Sequence, residues 1–128
     1  MSTSVWLVES DPASVALIRR GFSNRGVHVL ALSAVREVER KLESCASRPQ
    51  AVVLSEHPRD ATGLDALRAV RSMAPTLPVV FVPTFAPART RRRAYRLGAA
   101  AVVDRPFDME DLVKATLQSV ADEKAEAS

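Results

Sequence analysis

Ser55 closes the apolar run Ala51-Val52-Val53-Leu54, which reads as a buried strand leading into the loop Glu56-His57-Pro58-Arg59. A serine hydroxyl attacks only when a base removes its proton. His57 stands two residues on and can share that loop, but no nucleophile elbow and no orienting third group accompany the pair. Glu9 and Asp11 place two acids around Ser10 near the start of the chain. Arg105 supplies a planar cation whose fork suits bidentate pairing with a carboxylate. His28 and His57, beside the single Cys45, lack the paired spacing of a metal site. Gly63 follows no phosphate-cradling pattern.

The elements that must position these residues alternate in the rhythm of a parallel α/β sheet. Residues 5–8 are continuously apolar, as expected of a strand covered on both faces. Asp11-Pro12 opens a helix, proline suiting a first turn that needs no amide hydrogen. Val15, Ile18 and Phe22 give it one buried face, and Gly26 ends it. A strand is expected at 27–32 and a helix at about 34–46, burying Val35, Val38 and Leu42; Cys45 reads as core filler on the same face. Residues 51–55 form the third strand, and Leu64, Leu67, Val70 and Ala74 mark the third helix. Strand four is placed at 79–82, the basic fourth helix at 87–97 with Gly98 as its cap, and strand five at 101–103. Asp108, with Asp111 three residues on, is expected to start the last helix in a capping-box-like arrangement. Residues from about Asp122 are expected to fray. Five βα units imply a doubly wound, flavodoxin-like sheet of order 2-1-3-4-5, with the site at the carboxyl ends of the strands. Glu9, Ser55, Pro83 and Arg105 all fall there.

A chain of 128 residues makes one domain, expected over 1–121, with 122–128 a polar tail or the start of a linker. Its 47% hydrophobic and 26% charged residues match a soluble globular protein. No apolar run nears the ~18 residues of a membrane span, and the start lacks a signal-peptide pattern. One cysteine excludes an internal disulfide and suits the cytoplasm. Abundant arginine and alanine suggest a GC-rich bacterial source.

Four segments carry a further pattern: Val5-Trp6-Leu7-Val8-Glu9-Ser10-Asp11-Pro12, the strand ending at Ser55, Pro78-Val79-Val80-Phe81-Val82, and the stretch from Gly98 through Asp104-Arg105-Pro106-Phe107. Together they resemble the receiver domain of bacterial two-component response regulators, over residues 4 to 121. The resemblance implies that Ser55 stands where the family has its phosphorylated aspartate. Ser10 then replaces the second acid of a Mg²⁺ site, and Glu9 keeps the first. Pro83 replaces the strand-four hydroxyl and Arg105 the strand-five lysine. Val102 takes the place of the switching aromatic, and valine is stiff at χ1 with no ring to swing. Metal site, nucleophile and relay are thus all altered, and no cofactor, metal or catalytic residue is expected. A Glu9–Arg105 contact is expected instead, with Ser10 or Ser55 hydrogen-bonded nearby.

The fourth helix is the expected partner surface. Ala94 and Leu97 match inward positions, leaving Arg89, Arg92, Arg93 and Arg96 outward. Like charges on adjacent turns repel, and an acidic partner surface relieves that cost. Only Tyr95 interleaves the arginines and no recognition module fits, so nucleic acid ranks below protein. The combined expectation is a degenerate, phosphorylation-independent receiver acting as a protein-interaction module in bacterial signalling, with homodimerisation left open. Two alternatives stand beside it. One is an active phosphoacceptor using a displaced acid, Glu56 or Asp60, with Thr84 supplying the hydroxyl. The other is nucleic-acid binding through the fourth helix.

Overall fold

Alternate residues of each central strand feed two separate cores. Trp6 and Val8 of β1 (Ser4–Val8) point to one side of the sheet and Val5 and Leu7 to the other, and Val52/Leu54 against Val53 repeat this in β3 (Ala51–Ser55). The first core also holds Val79 and Phe81 of β4 (Val79–Val82). It packs on α2 (Val35–Ser44), α3 (Gly63–Met73) and α4 (Ala88–Arg96) through Val38, Leu42, Leu67, Val70 and Ala94. The second packs on α1 (Pro12–Ser23) and α5 (Met109–Ala127) through Ile18, Phe22, Leu112, Val113 and Val120. The sheet is completed by β2 (His28–Leu32) and β5 (Ala101–Val102).

The computed structural model describes residues 3–44, 47–56 and 63–127. All strand pairs are parallel, in the order β2-β1-β3-β4-β5. The doubly wound, flavodoxin-like architecture expected from the apolar rhythm is therefore the observed one. The strand order reverses between β1 and β3, which opens the crevice where such sheets place their sites. Cys45, Ala46, His57 and Asp60 lie outside the described residues.

Several element bounds differ from the sequence expectation, among them β1 starting at Ser4 and β2 at His28. Strand β5 stops at Val102, although Val103 N–H still donates to the Phe81 carbonyl at 2.9 Å. Helix α4 starts one residue after Pro87, its N-cap, and ends before Leu97, its C-cap, with Gly98 following at φ 104°. Helix α5 does not fray at Asp122 but runs through Ala127, with Gln118 Nε2 donating to Asp122 Oδ1 across one turn. At its start the Asp108 carbonyl accepts from the Asp111 and Leu112 N–H groups, so the Asp108–Asp111 link runs through backbone.

Candidate functional site

Glu9 is the first residue beyond β1, and its N–H is held by the Leu32 carbonyl of β2 at 2.9 Å. Its side chain is fully buried. Burying a carboxylate demands partners for both oxygens. Oε1 accepts from Arg105 Nη2 at 2.7 Å and from Ser55 Oγ at 2.8 Å; Oε2 accepts from the Asp11 N–H at 3.0 Å. Arg105 Nη2 also donates to Ser55 Oγ, closing a triangle of Glu9, Ser55 and Arg105. The expected Glu9–Arg105 contact is present, and Ser55 joins it.

Three strands and a loop build this triangle. Ser55 ends β3 in register with Val82, fixed by the flanking ladder. Arg105 follows β5 on a segment tied to the Pro83 carbonyl through its own N–H at 3.0 Å. A cis peptide bond joins it to Pro106. The guanidinium lies 5.8 Å from the Phe107 ring centroid, a cation–π distance. Among the described residues only Nη2 has protein partners, and Nε is buried without one.

The other expected site residues stand outside the triangle. Asp11 caps α1, its Oδ2 accepting from Ser14 N–H and Oγ. Ser10 is exposed. Pro83 is buried after β4, and Thr84 Oγ1 donates to the Glu56 carbonyl at 3.0 Å. The Glu56 carboxylate rests against the first residue of α3, because a Cβ built on Gly63 would meet Glu56 Oε2 at 2.0 Å. A crevice of about 230 Å³ between β1, β2 and β3 is lined by Glu9, Ser10, Ser33, Ser55 and Gly63.

Magnesium requires hard oxygen ligands in near-octahedral array, usually including one or two carboxylates. The described residues do not fit it. Oε1 of the buried acid already faces a guanidinium, and the next acid along is turned to a helix cap. No group of three or more His, Cys, Asp or Glu side chains gathers closely enough to hold a metal among the described residues.

Helix α4 presents Arg89, Arg92, Arg93 and Arg96 to solvent, as its inward Ala94 requires. Their i, i+3, i+4, i+7 spacing forms one stripe, and none pairs with an acid among the described residues. Arg91 turns the other way. It pairs with Asp104 at 2.5 Å, and its Nη2 reaches the Val102 carbonyl at 3.4 Å. Tyr95, one turn on, accepts the Val102 N–H on its hydroxyl at 3.2 Å. The strand ladder leaves these two groups of Val102 facing the free edge of β5, so α4 seals that edge with two side chains. Sequence reasoning placed both residues in the basic segment without these roles; their i, i+4 spacing was the available signal.

Among the described residues no helix is long and apolar enough to cross a membrane. Residues 5–117 match the response regulator receiver domain family. The chain is 25% identical over 108 residues to the DNA-binding transcriptional regulator NtrC of Proteus hauseri, covering 84% of this chain and 22% of that protein. It is 25% identical over 115 residues to the acid tolerance regulatory protein ActR of Rhizobium meliloti (strain 1021), covering 90% of this chain and 58% of that one. Among solved structures, a CheY-like receiver domain protein from Methanospirillum hungatei JF-1 superposes with a TM-score of 0.85 at 17% identity, over 98% of this chain and 99% of that one.

Proposed function

The chain belongs to the response regulator receiver domain family, and we propose that it serves two-component signalling as a phosphorylation-independent protein-interaction module in the bacterial cytoplasm. The observation that carries this reading is the triangle of Glu9, Ser55 and Arg105. A serine ends β3, an arginine already neutralises the buried acid, and a proline follows β4 where a phosphoryl-sensing hydroxyl would be needed. A phosphoryl group would find neither a metal seat nor a carboxylate nucleophile. Without differential contacts between two states, no ligand shifts their populations. Partner binding is then constitutive, and the exposed arginine stripe of α4 is its surface, fitted to an acidic partner.

The test is incubation with acetyl phosphate and Mg²⁺, followed by intact mass and peptide mapping. The expected result is an unmodified chain. A phosphoryl increment on Glu56 or Asp60 would support the displaced-acceptor alternative and overturn this reading. A second reading, nucleic-acid binding through α4, rests on the same four arginines. It predicts an affinity that falls steeply with salt.

A further inference from the structure

A second concavity lies beside the triangle, on the α1 side of the β5–α5 loop. It measures about 420 Å³, within the ~300–1,000 Å³ of small-molecule sites. Its walls are Leu17, Ile18, Pro106, Phe107 and Met109, and its one charged lining residue is Arg105. Leu17 is 61% exposed, a large apolar side chain left in water at the rim. The far wall is set by close packing. A Cβ on Gly21 would lie 2.2 Å from Met109 Cγ, so the thioether is seated against α1 because no side chain competes for that space.

The polar groups of the groove decide where an anion would go. Ser14 and Thr84 also line it, but both hydroxyl protons are already given to Asp11 Oδ2 and the Glu56 carbonyl. Arg105 is different. Its Nη2 holds Glu9 and Ser55, whereas Nη1 donates to nothing among the described residues and, unlike Nε, is not buried. A cation with free donors at one end of an apolar trough recognises an anionic head on an apolar body. We infer that this groove is a binding site for small monocarboxylates with an aromatic or branched apolar body, the carboxylate on Arg105 Nη1 and the body between Leu17, Phe107 and Met109. Such a ligand would address the guanidinium that closes the triangle. The inference stands independently of the partner assigned to α4.

The test is a titration of ¹⁵N-labelled full chain with phenylacetate, phenylacetamide and acetate, followed by amide and arginine Nε–H shifts. Phenylacetate should saturate with shifts clustered on Leu17, Ile18, Phe107, Met109 and Arg105. It should bind about tenfold tighter than its amide, because only the anion makes charge-assisted bonds. Acetate, lacking the body, should not saturate. Arg105→Gln should erase the preference for acid over amide. Leu17→Glu, at an exposed position that leaves the fold intact, should weaken phenylacetate more than phenylacetamide. Equal affinity for acid and amide, no saturation, or shifts confined to Arg89, Arg92, Arg93 and Arg96 would overturn the inference.

Discussion

Arg105 Nη2 lies 2.7 Å from Glu9 Oε1, joining residues 96 apart in sequence at the point where the sheet order reverses. The acid is wholly buried while the arginine side chain stays 25% exposed. That asymmetry sets the direction of every perturbation, because removing the cation strands a buried charge, whereas removing the acid leaves a cation that water can reach.

Arg105→Ala should therefore destabilise the domain by about 1–3 kcal/mol, with Ser55 and the Asp11 N–H retaining part of the carboxylate's hydrogen bonding. Urea unfolding should show a lower midpoint at unchanged slope. Arg105→Lys should recover only part of the loss, since the ammonium sits on a shorter side chain and gives up the planar group held near the Phe107 ring. An unchanged midpoint for the alanine variant would mean that the contact contributes nothing.

Ser55→Asp should not accept a phosphoryl group from acetyl phosphate and Mg²⁺. The new carboxylate would face the same guanidinium, and Asp11 would still be committed to the α1 cap. Intact mass of the variant decides it. A phosphoryl increment in this single variant would mean that a metal seat persists despite Arg105.

Residues 51–55 and 79–82 were legible as strands because both faces of the sheet are covered, so apolar runs there are unbroken. The Glu9–Arg105 pair was legible too, since two opposite charges at the carboxyl end of the same sheet need each other once no metal intervenes. Arg91 and Tyr95 were not. Periodicity reports which face of α4 is buried, not which backbone group a side chain meets across a sheet edge. The groove was hidden for a related reason: it depends on Met109 settling against Gly21, a pairing across two helices that neither helix's pattern contains. The length of α5 was missed because its last turns are polar and carry no burial signal.

Arg92→Glu combined with Arg93→Glu should abolish capture of an acidic partner while leaving stability within about 0.5 kcal/mol, since both side chains are exposed and unpaired among the described residues. Affinity capture beside thermal melts of both proteins checks the two halves together. Retained capture by a folded variant would remove α4 from the partner surface.

Tyr95→Phe tests whether α4 seals the sheet. The ring stays, so packing is preserved, but the Val102 N–H loses its acceptor at the free edge of β5. That edge is only two residues long and its outward N–H can turn to water, so the cost should be small, about 0.5–1.5 kcal/mol. Amide hydrogen exchange is the sharper readout. Exchange at Val102 should accelerate, while the Val103 N–H, held by the Phe81 carbonyl, should keep its protection. Arg91→Ala attacks the neighbouring carbonyl and the Asp104 pair, whose side chains are 37% and 36% exposed, so solvent screening limits its cost to ~0–1 kcal/mol. The two changes share Val102 as a partner and should be non-additive in a double-mutant cycle. Unaltered exchange at Val102 in the phenylalanine variant would mean that the edge is protected by something other than the tyrosine hydroxyl.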